Sequence, residues 1–336
     1  MSRDLSTSVN LIKDVTTTMQ YASLSNGDRM PLLGLGTWKS ESRQVYTAVR
    51  EAIKIGYRHI DCASIYGNEK EVGDAIQDAI HNHEVTRSEL WITSKLWSNC
   101  HGKDDVEAAL RQSLENLGVD YLNLYLIHWP VSIRPEKTFA ESVDDLLTPE
   151  QSPISETWEA MQSVRDQGLT KHIGVSNFSV KKLQQLVSDC KQKPEVNQVE
   201  HHPLLQQPQL VQYCALEGIL ITAYSPLGSM DRPQSLKVKD APVVLDNPVI
   251  RSIAETRGCS PAQVVLAWDV QRGISAIPKS VKPSRLLENL QAADIQLSDT
   301  ELQKIEALDQ NVRLVNGAFW VMEGGPWTLQ SLWDTP

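Results

Sequence analysis

Short apolar runs alternate along the chain with longer stretches of helical period. Runs at residues 32–35, 57–61, 90–95, 122–128, 172–174, 196–199, 220–223 and 275–277 predict eight strands. Between them, Val45, Ala48, Val49, Ala52 and Ile53 share one face of a predicted helix over 45–54. Val106, Ala109, Leu110, Ser113, Leu114 and Leu117 do the same over 106–117. Further helices are predicted over 156–167, 180–190, 210–217, 249–256, 261–271 and 283–292. Strict alternation of strand and helix implies parallel strands. Eight such units in a chain of 336 residues predict an α/β fold, a closed (β/α)₈ TIM barrel.

The segments outside this rhythm are informative. Two apolar stretches, 22–24 and 31–33, flank Ser25-Asn26-Gly27-Asp28, and Asn-Gly between apolar arms predicts a hairpin, expected to close the bottom of the barrel. The connections 129–155 and 226–247 are long, rich in Pro and Asp, and come after strand ends, so both are expected to overhang the mouth. The tail from Asn311 carries Phe319, Trp320, Trp327 and Trp333 among glycines, and is expected to pack on that mouth. Residues 1–20 are read as an extension expected to be disordered, and 21–336 as one barrel domain.

Composition narrows the function. Hydrophobic residues make up 41% of the chain, enough for a large core, and the net charge of −10 argues against a general binder of nucleic acid or anionic membrane. The mostly polar first eighteen residues lack the apolar core of a signal peptide, and no apolar run is long enough to span a bilayer. The five cysteines (Cys62, Cys100, Cys190, Cys214, Cys259) are scattered without a CxxC pair, which disfavours a zinc site and fits reduced thiols in a cytoplasmic protein. No oligomerisation segment is evident, and a monomer is expected.

In a barrel of this kind, reactive groups sit where strands end at the mouth. Asp61, Lys95 and His128 end the second, third and fourth predicted strands, and Tyr66 lies five residues past Asp61. Here the chain strongly resembles the aldo-keto reductase family. The resemblance is carried by Met30-Pro-Leu-Leu-Gly-Leu-Gly-Thr-Trp38, the segment from Gly56 to Asp61, Tyr66 to Glu69, Thr93-Ser94-Lys95, Ile127-His128-Trp129-Pro130, Gly174-Val175-Ser176-Asn177, Gln198, Ala223-Tyr224-Ser225-Pro226-Leu227-Gly228 and Ile277-Pro278-Lys279-Ser280-Val281. These run in family order from about Tyr21 to Asp309 and are most similar to the aldehyde-reductase, or NADP⁺-dependent alcohol dehydrogenase, branch.

The resemblance implies an oxidoreductase in which Asp61, Tyr66, Lys95 and His128 form a catalytic tetrad that reduces aldehydes and some ketones with NADPH. Tyr66 would be the proton donor. A free tyrosine near pKa ~10 donates poorly at neutrality, and a cation beside it is expected to lower that value. Lys95 is the expected cation, Asp61 the group that keeps it charged, and His128 the donor that orients the carbonyl. A histidine rather than a glutamate at position 128 favours carbonyl over carbon–carbon double-bond reduction.

For the cofactor, the resemblance implies that Thr37, Trp38 and Asp61 border the nicotinamide. Ser176, Asn177 and Gln198 would bond its amide, and Tyr224 would stack on it. Ser225, Leu227 and Ser229 would line the pyrophosphate path. Lys279, Ser280, Val281 and Arg285 would surround the 2′-phosphate, with Glu288 and Asn289 on the adenine. Lys39 and Asp231 match a pair that closes over the pyrophosphate in some relatives, so the 229–247 loop is expected to fold over bound cofactor. Trp38, Trp97, His128, Trp129 and Phe139 are the expected walls of an apolar pocket for a small aromatic or aliphatic carbonyl. Trp91, Trp158 and Trp268 are expected in the core. The tail departs from animal aldehyde reductases and looks more bacterial or cyanobacterial.

Competing readings are weaker. Tyr66 and Lys70 have the Tyr-x-x-x-Lys spacing of short-chain dehydrogenases, but Gly34-Leu35-Gly36 lacks the third glycine of the dinucleotide fingerprint that fold requires. Lys70 is instead expected to be a solvated helix residue. A regulatory subunit of a membrane channel, as some relatives are, is disfavoured by the close aldehyde-reductase match. An unrelated barrel isomerase would have no use for the cations at Lys279 and Arg285.

Overall fold

The structure, a computed structural model, describes residues 19–40, 43–230, 232–233, 237 and 241–335. The disorder expected at the N-terminus falls almost wholly on residues 1–18, outside the described residues, and so does Asp231, the expected partner of Lys39.

Eight parallel strands form one sheet in which sequence neighbours pair: β3 (Leu35–Gly36), β4 (His59–Asp61), β5 (Trp91–Leu96), β6 (Leu122–Ile127), β9 (Thr170–Ser176), β10 (Val196–Glu200), β11 (Leu220–Tyr224) and β12 (Ser275–Ala276). The first and last strands meet. Leu33 bridges Ala276 in parallel, Ala276 N–H donates to the Leu32 carbonyl at 2.7 Å, and Gly34 N–H donates to the Ala276 carbonyl at 2.9 Å. The sheet is therefore a closed (β/α)₈ barrel. Gly36 is required at this seam, because a Cβ there would stand 2.7 Å from the Ile277 carbonyl oxygen. A Cβ at Gly34 would stand 2.6 Å from the His59 ring, so both glycines of Gly34-Leu35-Gly36 are explained by close packing without any nucleotide fingerprint.

Around the barrel lie α1 (Gln44–Ile55), α2 (Glu69–His81), α3 (Asp105–Leu117), α4 (Ile154–Asp166), α5 (Val180–Asp189), α6 (Pro208–Glu217), α7 (Pro248–Arg257), α8 (Pro261–Gln271) and α9 (Pro283–Gln291). The inward faces of α1 and α3 match the predicted stripes; α1 buries Val45, Ala48, Val49, Ala52 and Ile53, and α3 buries Val106, Leu110, Ser113, Leu114 and Leu117. Three helices were not anticipated: α2, α10 (Asp299–Glu306) and α11 (Leu329–Trp333). Lys70 stands exposed on α2 and pairs with Asp74 at 3.3 Å, as a solvated helix residue should. Trp158 and Trp268 are fully buried in the core.

The hairpin pairs β1 (Tyr21–Ser23) with β2 (Arg29–Pro31), so its second arm begins two residues before the expected 31–33. Leu24 and Met30 pack with Trp91 and Val196, the first residues of β5 and β10, and with Leu124 and Leu126 of β6, plugging the bottom. At the opposite end, the 129–155 connection contains an unanticipated hairpin, β7 (Ser132–Ile133) with β8 (Leu146–Leu147). Trp97, Trp129, Val131, Ile133, Leu146, Val315, Trp320, Trp327 and Leu332 form a cluster over the mouth, so the tail packs where its aromatics predicted. Among the described residues, no helix is long and apolar enough to cross a membrane.

Candidate active site

The strand ends bring the sequence-predicted residues to one end of the barrel. Lys95, on β5, is wholly enclosed. Its ammonium donates to the Asp61 carboxylate at the end of β4, and to the Cys62 carbonyl at 2.7 Å. Burial works most strongly against the charge on Lys95, but the Asp61 carboxylate, with Tyr66 and Cys62 adding to it, holds the ammonium above its usual range. The second carboxylate oxygen of Asp61 accepts from Gln198 Nε2 at 2.7 Å, and the Asp61 carbonyl accepts from the Thr37 hydroxyl at 2.9 Å.

Tyr66 sits on a short 3₁₀ turn, Ser64–Tyr66, with the Lys95 ammonium 5.3 Å from its ring centroid. His128, just past β6, approaches Tyr66 edge-on with ring centroids 5.8 Å apart, and Trp97 at 5.2 Å. Burial drives the His128 ring well below its ordinary pKa, and the Lys95 charge adds to the effect, so the imidazole is neutral. One expectation is corrected. Lys95 does pull the Tyr66 phenol down, but burial pushes it up more strongly and Asp61 adds to the rise, so its pKa lies above the ordinary tyrosine value. The phenol is held protonated.

These groups open into a cavity of about 810 Å³. Tyr66, His128 and Asp61 line it, as do Trp38, Trp97, Trp129 and Phe139 on its apolar side. Lys95 supports it from behind Tyr66 without lining it. The cavity runs on past Thr37, Ser176, Asn177, Gln198, Tyr224, Ser225, Leu227 and Ser229 to a basic end at Lys279, Ser280, Val281, Lys282 and Arg285. Several of these side chains are locked together. The Tyr224 hydroxyl donates to Asn177 Oδ1 at 2.8 Å, Asn177 Nδ2 donates to the His128 carbonyl at 2.9 Å, and Ser176 Oγ donates to the Gln198 carbonyl at 2.7 Å. Asn177, Ser225 and Ser229 hold left-handed backbone conformations, with φ of 65°, 49° and 41°. Non-glycine residues occupy that region at a cost, and such strain gathers where a chain must present groups to a ligand.

Glu288 and Asn289 are not brought to this cavity. They lie on α9 a turn beyond Arg285; Asn289 is buried, and the Glu288 carboxylate accepts from the Ser260 hydroxyl at the start of α8. Conversely, Ile65, Met230, Pro233 and Val315 line the cavity without having been singled out, and Phe319, expected only to pack on the mouth, lines it as well. Lys282 was also missed, although a third cation between Lys279 and Arg285 was visible in the sequence.

Comparison with known proteins agrees with this architecture. The family described as Aldo/keto reductase family matches residues 32–310. An aldo/keto reductase of Synechocystis sp. is 54% identical over 316 residues, covering 94% of this chain and 97% of its own. Aldo-keto reductase family 1 member A1 of Xenopus tropicalis is 46% identical over 303 residues, covering 90% of this chain and 92% of its own. The solved structure of the aldose reductase from Schistosoma japonicum superimposes with a TM-score of 0.82 at 36% identity, covering 91% of this chain and 97% of that one. The closed barrel, the polar cluster at its mouth and these relationships together place the chain in the aldo/keto reductase family, a family of oxidoreductases.

Proposed function

We propose that this protein reduces aldehydes, and some ketones, to alcohols with NADPH, and that Tyr66 donates the proton. The observation that carries the reading is the single cavity that joins a protonated Tyr66 and a neutral His128 at one end to three cations at the other.

The cavity's donor set fits a phosphorylated dinucleotide. Lys279, Lys282, Arg285 and the Ser280 hydroxyl offer a doubly charged phosphate the fixed cations and donors it needs, and the planar fork of arginine suits it. Ser225 and Ser229 lie on the way to Tyr224, whose ring offers a flat face beside the amide groups of Asn177 and Gln198. Bound NADPH would supply a hydride to the carbonyl carbon.

The rest of the chemistry belongs to the chain's own residues. The substrate oxygen takes on negative charge as its carbon is reduced. His128, being neutral, offers a ring N–H to that oxygen without competing for its proton. The Tyr66 hydroxyl passes its proton to the oxygen and becomes a phenolate, which the Lys95 ammonium stabilises. Asp61 keeps Lys95 charged through that step. Trp38, Trp97, Trp129 and Phe139 exclude water from the reacting carbonyl and favour an apolar substituent on it.

The homologues support the carbonyl chemistry, since one is named for aldose reduction and others as aldo-keto reductases. The test is the loss of reduced-nicotinamide absorbance with a panel of aldehydes, run with NADPH and with NADH. Turnover of aldehydes with NADPH preferred is the expected result. Tight NADPH binding with no carbonyl turned over would remove the reading.

A further inference from the structure

Beyond the barrel, the chain returns over the mouth, and one buried carboxylate holds it there. Glu200 ends β10, two residues past Gln198, and is fully enclosed. Its Oε2 accepts from the Val315 backbone N–H at 2.8 Å. Its Oε1 accepts from the Leu314 N–H at 2.7 Å and from His202 Nε2 at 2.9 Å. The Glu200 carbonyl accepts from Gln207 Nε2 at 2.7 Å, and Gln207 Oε1 in turn accepts from Arg313 at 3.1 Å. Three consecutive tail residues are thereby tied to the end of one barrel strand. Hydrogen bonds from N–H groups to a carboxylate are stronger than neutral ones, and inside a protein each is costly to leave unmade.

From this anchor the tail runs directly into the cavity wall. Val315 and Phe319 both line the cavity. Between them Gly317 turns with φ of +77°, where a Cβ would stand 2.5 Å from Leu332 Cδ2. Trp320, one residue past Phe319, packs on Trp97 and Trp129 at 5.6 and 6.1 Å. Glu200 itself does not line the cavity. Its influence on a ligand passes through the tail.

We propose that Glu200 is a positioning residue for substrate selectivity: its carboxylate fixes the tail on the mouth, so that Val315 and Phe319 form the wall against which a bulky carbonyl substrate packs. The proposal rests on the carbonyl-reduction reading. Glutamine at position 200 keeps the volume but replaces one acceptor oxygen with an NH₂ that faces another donor. The wall then loosens. A large aromatic aldehyde loses its packing, while a small aldehyde that reaches only Tyr66 and His128 does not.

The test compares propanal with naphthaldehyde in the parent, Glu200→Gln, Phe319→Ala and the double variant. Glu200→Gln is expected to raise KM for naphthaldehyde about tenfold. Its kcat/KM for propanal should stay within about twofold, with NADPH affinity by calorimetry unchanged. The double variant should lose no more selectivity than the stronger single one, because one residue acts through the other. Equal losses for both aldehydes, or additive losses in the double variant, would overturn the proposal. Gly317→Ala disturbs the same wall from the tail's side and should reproduce the selectivity loss. If Glu200→Gln does not fold, unchanged selectivity in Gly317→Ala overturns the proposal instead. A parent protein that reduces neither aldehyde removes the functional reading and this proposal with it. A competent parent with unaltered selectivity in Glu200→Gln removes this proposal alone.

Discussion

The ammonium of Lys95 donates to the carboxylate of Asp61 inside the barrel, with neither side chain in reach of solvent. Removing one partner from such a pair leaves the other charge buried and uncompensated. Asp61→Asn is therefore expected to lower the unfolding free energy by about 3 kcal/mol, read from urea denaturation, and to depress carbonyl turnover as well. A variant as stable as the parent would mean that the pair contributes little to holding β4 and β5 in register.

The elevated Tyr66 pKa has a direct kinetic consequence. A proton donor works in its protonated form, so reduction should persist through neutral pH and be lost only as pH rises past a value above the ordinary tyrosine range near ~10. His128 titrates well below its usual value, so it should add no limb near neutrality. Tyr66→Phe should lower kcat by about 100- to 10,000-fold with NADPH affinity nearly intact. A parent profile that already falls at neutral pH, or an active phenylalanine variant, would assign the proton to another group.

Arg285 tests the basic end of the cavity. Charge-assisted bonds to a phosphate contribute about 1.5–3 kcal/mol, so Arg285→Met should weaken NADPH binding roughly 10- to 100-fold. NADH, which lacks the 2′-phosphate, should bind the variant and the parent alike. Titration by quenching of tryptophan emission separates the cases, and an equal loss for both cofactors would count against this placement of the phosphate.

At the barrel bottom, His172 bridges Glu195 at 2.9 Å and Asp28 of the hairpin turn at 3.0 Å, with Trp91 stacked on its ring. Burial opposes its charge, yet the two carboxylates together raise its pKa above the ordinary value. Asp28 is lowered in return, mainly by its bond to His172. The stabilisation from His172 is thus complete below about pH 6.5 and is lost as pH rises through the higher folded value. The Asp28 contribution runs the other way, present above about pH 3.8 and lost as pH falls through its depressed folded value. Asp28 is half exposed and screened by water, so the combined effect is on the order of 1 kcal/mol. The difference in Tm between the parent and His172→Gln should be largest at mildly acidic pH and shrink on the alkaline side. A difference that stays constant across that range would show that the charge on His172 is not what holds the hairpin.

The eight strands were readable because nearly all their residues are buried, which leaves mostly apolar runs at near-regular spacing. Helix α2 was legible too, though not anticipated: its buried Val72, Ala75, Ile76 and Ala79 recur at helical spacing, beside a buried Gly73 where α3 approaches closely. The β7–β8 hairpin has two-residue arms, too short for any period to register. At the mouth, Asp61, Lys95 and His128 stood out because they terminate apolar strands. Val315 did not, since its place depends on Glu200, more than a hundred residues away in sequence. Glu288 shows the converse. The resemblance set it beside the adenine, whereas its carboxylate accepts from the Ser260 hydroxyl at the start of α8.

The seam of the barrel is its thinnest join. β3 and β12 are two residues long each. Two backbone hydrogen bonds at Ala276, with one more from Gly36 to the Pro278 carbonyl at 3.2 Å, fasten the first strand to the last. Thr37 and Trp38 extend from one side of that join, Lys279 to Val281 from the other, and both sets line the same cavity. A molecule lodged there grips the beginning and the end of the barrel at once, like a staple across the two edges of a rolled sheet. Occupancy should then slow the opening of the roll and protect the whole chain from proteolysis, because the place where the cylinder would first come apart is the place the ligand holds shut.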